Sequence, residues 1–143
     1  MRLATWNVNS LRARLDRVIA WLERTGTDVL AIQETKVDNA RFPVDRFAAV
    51  GYQVARHGIS QWNGVALVSR VGLEGVQGGV PGAPGFGDPP AAEARAIGGR
   101  CGGVTVWSLY VPNGRAIGDP HYAYKLAWLA ALREHSAAHL AQD

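Results

Sequence analysis

The sequence predicts a mixed α/β fold, and three observations carry that reading. Two apolar runs, "RLATWNV" at 2–8 and "DVLAIQE" at 28–34, flank an amphipathic stretch, which is the pattern of a strand–helix–strand unit. Further apolar runs follow in pairs separated by Gly-rich turns, as in hairpins. A long helical pattern then fills residues 119–143. At 143 residues, one core accounts for the chain.

The elements follow in order. "RLATWNV" is rich in apolar and aromatic residues and reads as a buried strand. "SLRARLDRVIAWLERTG" reads as a helix, with Ser10 as N-cap, Leu11, Leu15, Val18, Ile19 and Leu22 as its apolar face, and Gly26 ending it. "DVLAIQE" is the second strand. The joints are short, so the two strands are expected to run parallel with a right-handed crossover. "FPVDRFAAVG" (42–51) is a short helix, and "YQVARHG" and "GVALVSRV" are strands joined through "ISQWN". "VGLEGVQGG" is a further short strand, and 78–90 is a Gly/Pro loop with a lone aromatic, Phe86. "EARAIGG" and "GVTVWSLYVP" pair around a "GGRCGG" turn. In the last helix Asp119 is the cap, Pro120 the first residue, and Tyr122, Leu126, Leu129 and Leu132 share a face. Trp21, Trp107 and Trp128 are expected in the core.

Composition excludes several classes. The chain is 48% hydrophobic and 19% charged, the balance of a soluble globular domain, and has no apolar run long enough to span a bilayer. "MRLATWNVNS" has no secretory apolar region, so a cytoplasmic location is expected. A single cysteine, Cys101, excludes an internal disulfide and a cysteine-based zinc site. His135 and His139 are four residues apart on a helix, but no third zinc ligand accompanies them. Residues 1–70 carry ten Lys/Arg against six Asp/Glu, and 71–143 five against six. A basic first half favours a phosphate-bearing partner.

The chemistry lies at the strand ends. An acid closing a buried strand costs several kcal/mol to desolvate unless a partner offsets it. Glu34 ends the second strand and Asn7 the first, and in an open α/β sheet ligands gather at the carboxyl ends of parallel strands. Two readings stand here. Both residues cap strand ends and face water, or they present hard oxygen donors to Mg²⁺ or Mn²⁺. "SLYVPNGR" (108–115) poses the same choice between a plain turn and a phosphate cradle built from Tyr110, Asn113 and Arg115.

Together, "ATWNVNSLRAR" (4–14), "DVLAIQETK" (28–36) and "LYVPNGR" (109–115) resemble the exonuclease III/AP-endonuclease family of DNA-repair nucleases. "FPVDRFAAVGY", "NGVALVSR" and "EARAI" follow in that family's order, so the resemblance covers nearly the whole chain. "QETK" after an apolar strand is what separates this family from the wider endonuclease/exonuclease/phosphatase superfamily. The resemblance implies a DNase I-like four-layer α/β sandwich, with a mixed sheet and flanking helices. This chain would be its N-terminal half, because the family's downstream G-D-x-N and S-D-H segments are absent from residues 1–143. That half is expected to supply most of one sheet, with its inner face left for the other half to cover.

By resemblance, Glu34 is the principal metal ligand, for Mg²⁺ or Mn²⁺, and Asn7 its partner at the metal edge. Tyr110 lies near the scissile phosphate, Asn113 contacts a substrate phosphate, and Arg95 contacts DNA. Asn9 stands where some relatives have an acid. Arg12, Lys36, Arg115 and Trp62, an aromatic in a hairpin turn, are the remaining candidate DNA contacts, while Arg14 and Arg17 read equally well as a solvated helix face. The implied function is a DNA-repair phosphodiesterase, a monomer at full length, that cuts 5′ of abasic sites and trims 3′ ends of double-stranded DNA. The isolated half would have little activity. The rivals are a phosphoesterase of the same fold acting on a small molecule or lipid, and a non-catalytic nucleic-acid-binding remnant.

Overall fold

Register sets the geometry of the N-terminal unit. The structure is a computed structural model and describes residues 1–141. Strand β1 (Leu3–Asn7) and strand β2 (Val29–Gln33) run parallel, pairing Leu3 with Val29 through to Asn7 with Gln33, so the two strands end level. Helix α1 (Leu11–Thr25) connects them. The Ser10 hydroxyl accepts from the Ala13 N–H at its start, and Gly26, in a left-handed conformation (φ 57°), closes it with an N–H to the Leu22 carbonyl. Leu11, Val18, Ile19 and Leu22 are buried, as the spacing requires, and Leu15 is half-buried against them.

The short helix α2 (Val44–Ala48) precedes strand β3 (Gln53–His57), and strand β4 (Val65–Ser69) returns antiparallel to β3 and inserts beside β2. The resulting four-stranded sheet has the order β1-β2-β4-β3. β2 and β4, at its centre, are buried along their whole length. This is why "VLAI" and "VALV" read as continuous apolar runs rather than alternating ones. Leu30, Ile32, Ala66 and Val68 pack toward α1 and α2 with Phe47 and Leu22. Val29, Ala31, Val65 and Leu67 point the other way, into a second cluster with Ile97 and Cys101.

That second cluster corrects the expectation of a single sheet. Strand β5 (Glu74–Gly78), strand β6 (Ala96–Cys101) and strand β7 (Val104–Leu109) form a separate antiparallel sheet, ordered β5-β6-β7. It covers the inner face of β2, β3 and β4 through Ile97, Cys101 and Val106. The chain therefore supplies strands to both layers and covers much of that face itself, while the inner-facing residues of β1, Leu3 and Thr5, stay exposed. Hairpin patterning constrains local pairing only, so it leaves open which sheet each hairpin joins.

Two smaller expectations also change. β1 is not a buried strand. It pairs only with β2 among the described residues, its burial alternates, and Leu3 is 50% exposed. The turn between β6 and β7 is Gly102–Gly103 alone, because Gly98 to Cys101 stay in the ladder. Gly98 is there for packing: a Cβ would stand 2.4 Å from Cε2 of the Trp107 ring, which lies across it from the neighbouring strand.

Residues 79–93 and 111–141 form a second compact unit. Its helix α3 spans Pro120–Leu140, and the Asp119 carboxylate caps it by accepting the His121 N–H at 2.8 Å. The buried residues of α3 are His121, Tyr124, Trp128 and Ala131, not the expected Tyr122/Leu126/Leu129/Leu132 face. Tyr122 and Leu126 are exposed instead. Apolar residues ring this helix, and the large aromatics on the neighbouring stripe win the burial. Phe86 explains the choice: it packs on the rings of His121 (4.0 Å) and Tyr124 (5.1 Å), and its backbone bridges Ala91. Among the described residues no helix is long and apolar enough to cross a membrane.

Candidate active site

The level ends of β1 and β2 bring Asn7 and Glu34 together. The Asn7 Nδ2 donates to Glu34 Oε1 at 2.8 Å, while Asn7 Oδ1 accepts the Asn9 N–H at 3.1 Å. The Tyr110 hydroxyl, just past β7, also hydrogen-bonds the Glu34 carboxylate. Lys36 Nζ lies 3.4 Å from Glu34 Oε2 and donates to Asn9 Oδ1 at 2.6 Å. The acid at the end of the buried strand is thus met by an amide, a phenol and an ammonium.

The backbone is bent to arrange this. Asn9, Glu34 and Lys36 all adopt left-handed φ values of 42°, 54° and 51°. Such residues cost about 1–3 kcal/mol each and persist only where their surroundings hold them. Here the Glu34 carbonyl accepts the Ser10 N–H at 2.8 Å, and the Lys36 N–H reaches the Asn63 carbonyl at 2.9 Å. Between them, the Thr35 carbonyl accepts the Leu11 N–H and the Thr35 N–H donates to the Gly64 carbonyl. "QETK" is therefore clamped from both sides, by residues 10–11 and by residues 63–64.

Beneath Glu34, buried Gln33 joins three strands. Its Nε2 donates to Ser108 Oγ at 3.0 Å, its Oε1 accepts from Thr5 at 3.2 Å, and Ser108 in turn donates to the Ile32 carbonyl at 2.8 Å. Arg95 fixes Tyr110 from below. Its guanidinium lies 4.7 Å from the ring centroid and its Nη1 donates to the Tyr110 carbonyl at 3.3 Å.

The electrostatics follow from these contacts. Partial burial pushes the Glu34 carboxyl upward, but the hydrogen bonds from Asn7, Tyr110 and Lys36, with the Lys36 charge, outweigh it and hold the group below its ordinary value. Burial, then the neighbouring Glu34 charge, raises the Tyr110 hydroxyl, which stays a donor at neutral pH.

The remaining sequence candidates divide clearly. Arg95 is 5% exposed and touches Tyr110, so it is a buried support rather than an open DNA-facing side chain. Lys36 is drawn inward to Glu34 and Asn9. Arg12 is exposed on the first turn of α1, and Trp62 is 65% exposed in the loop that also carries Asn63. Asn113 and Arg115 belong to the second unit, where Asn113 Oδ1 accepts the Arg115 N–H at 2.8 Å and the Asn113 carbonyl meets His121 Nδ1 at 3.1 Å. Arg14, for which a solvated helix face is one of two readings, donates to the Asn9 carbonyl at 2.6 Å. Sequence reasoning misses Gln33, Ser108, Asn63 and Gly64. The Asn-Gly pair before an apolar strand is the one signal that could mark the last two.

Among the described residues no group of three or more His, Cys, Asp and Glu is placed to hold a metal. The donor set at Glu34 nevertheless fits a hard divalent ion: one ionised carboxylate and nearby amide oxygens, since Mg²⁺ takes one or two protein carboxylates and keeps waters. As placed, Asn7 turns its nitrogen to the carboxylate, so a bound ion would meet Glu34 directly and Asn7 would orient that carboxylate.

Residues 4–141 match the sequence profile of the Endonuclease/Exonuclease/phosphatase family. The chain belongs to this family. Among solved family structures, an AP endonuclease from Archaeoglobus fulgidus is 40% identical, with a TM-score of 0.84 over 94% of this chain and 51% of that one. A 3′-5′ exonuclease from Neisseria meningitidis is 35% identical, with a TM-score of 0.91 over 99% of this chain and 53% of that one. A second structure of the Neisseria protein, described as a 3′ phosphatase, holds a product DNA hairpin. Exodeoxyribonuclease III of Haemophilus influenzae is 35% identical over 81 residues, 57% of this chain and 30% of that protein. The chain thus spans about half the length of its solved relatives, and its fold is the corresponding half of the DNase I-like α/β sandwich.

Proposed function

We propose that this chain carries the metal and part of the phosphate site of a Mg²⁺- or Mn²⁺-dependent DNA-repair phosphodiesterase of the exodeoxyribonuclease III kind. Such an enzyme cuts 5′ of abasic sites and removes nucleotides or blocking groups from the 3′ ends of double-stranded DNA. The observation that carries this reading is the Glu34 carboxylate, ionised and held by Asn7, Tyr110 and Lys36 where two parallel strands end level. The names of the relatives, and the DNA held by one of them, favour DNA over a small phosphate ester.

In this reading Glu34 holds the divalent ion, and Asn7 fixes the carboxylate. When bound, the ion supplies electrophilic stabilisation of charge on the phosphate. Tyr110, kept protonated and braced by Arg95, donates a hydrogen bond at that edge. Arg12, Arg115 and Asn113 offer charge-assisted or amide contacts to phosphates, and Trp62 an exposed ring for stacking. The G-D-x-N segment, whose Asp the resemblance makes the activator of the attacking water, is absent from residues 1–143, so the isolated chain should bind DNA and hydrolyse little of it.

Binding to the 143-residue chain of a duplex with one abasic site, compared with inositol phosphates, tests this in Mg²⁺ and Mn²⁺. The expected result is DNA retention that weakens steeply with salt, and little cleavage. Preference for inositol phosphates, or rapid DNA cleavage, would overturn it.

A further inference from the structure

The sequence points the Lys36 ammonium at a phosphate, yet it is held inside the site. It lies 3.4 Å from Glu34 Oε2 and 2.6 Å from Asn9 Oδ1, and its side chain is only 30% exposed. The holder is itself fixed: the Asn9 N–H donates to Asn7 Oδ1 at 3.1 Å, and the Asn9 carbonyl accepts from Arg14 at 2.6 Å. The Lys36 backbone, at φ 51°, is tied to Asn63 by a 2.9 Å hydrogen bond. A long, flexible side chain is thereby aimed at one carboxylate. Asn9 positions the charge without neutralising it, because an amide is uncharged, so the charge of Lys36 falls on Glu34.

We infer that Lys36 is a tethered counter-ion that competes with a divalent cation for the Glu34 carboxylate and so sets how tightly this chain holds metal. The inference rests on Glu34 being the metal ligand. Without metal, Lys36 compensates the charge of a partly desolvated acid whose other partners, Asn7 and Tyr110, are uncharged. With metal, an ammonium and a divalent ion share one carboxylate and repel each other. At near-solvent dielectric, removing the monovalent charge is worth on the order of tenfold in metal affinity.

The test is Mn²⁺ titration of the 143-residue chain, with free Mn²⁺ read by electron paramagnetic resonance. Lys36→Gln and Lys36→Met should each tighten binding by roughly tenfold, and Lys36→Arg, which keeps the charge, should stay near wild type. The gap between Lys36→Gln and wild type should narrow as ionic strength rises. Glu34→Gln should lose the site. Unchanged or weaker binding in both neutral variants, with binding still lost in Glu34→Gln, overturns the counter-ion role and leaves Glu34 as ligand. Mn²⁺ binding that survives Glu34→Gln, or that is absent from wild type and the neutral variants alike, overturns the metal reading itself. If circular dichroism shows one neutral variant unfolded, the other decides.

Discussion

Gly64 and Gly51 form a matched pair for testing how the site is clamped. Their φ values are nearly equal, +89° and +88°. A Cβ on Gly51 meets nothing within 4 Å, whereas on Gly64 it would stand 2.2 Å from Thr35 Oγ1 and 3.3 Å from the Lys36 nitrogen. Gly51→Ala therefore reports the backbone cost alone, about 1–2 kcal/mol for a left-handed non-glycine residue. Gly64→Ala adds overpacking against Thr35, which is β-branched and 1% exposed and so has no free end to swing away. Overpacking of this kind costs about 1–3 kcal/mol more. The expected loss is about 3 kcal/mol for Gly64→Ala, roughly twice that of Gly51→Ala. Urea unfolding followed by tryptophan fluorescence measures both, as midpoint shifts at constant slope. Gly64→Ala should also weaken Mn²⁺ binding, since Thr35 and Lys36 must move, and Gly51→Ala should not. Equal losses in the two variants would refute the claim that residues 63–64 press on "QETK".

Three other outcomes are expected. Ser108→Ala removes the partner of Gln33 Nε2 and of the Ile32 carbonyl in a buried site, and should cost about 1–3 kcal/mol in the same urea assay. The Glu34 carboxyl is held below its ordinary value of 4.5, so its contribution to stability is present above that pH and lost as pH falls through the lower folded value. Carboxyl NMR titration should show this, with Tyr110→Phe moving the Glu34 midpoint upward by removing a donor. Trp62→Ala, at a 65% exposed ring, should change stability by less than about 0.5 kcal/mol while weakening retention of abasic duplex DNA, as read by fluorescence anisotropy.

Legibility in the sequence follows the range of the interactions. β1, α1 and β2 are readable because Ser10, Gly26 and the i, i+3, i+4 spacing of Leu11, Val18, Ile19 and Leu22 are local signals. The placing of Asn7 beside Glu34 follows from parallel pairing with short joints. The two-sheet arrangement is not readable, since Ile97 and Cys101 meet Val29 and Leu67 across a distance in sequence that no local pattern encodes. The α3 face is misread because apolar residues surround the helix. Phe86, in a loop well upstream of His121, decides which stripe is buried. Gln33 looks like a companion of Glu34, yet its partner Ser108 lies 75 residues away. Arg95 carries a charge that points to DNA, and only packing against Tyr110 shows it as a support.

The most direct measurement of the central claim is anomalous diffraction at the manganese edge from crystals of the chain soaked in Mn²⁺. A peak about 2.0–2.4 Å from a Glu34 carboxylate oxygen is the predicted result. At saturating Mn²⁺, a map with no peak at Glu34, or with its strongest peak at the His135–His139 pair, would contradict it.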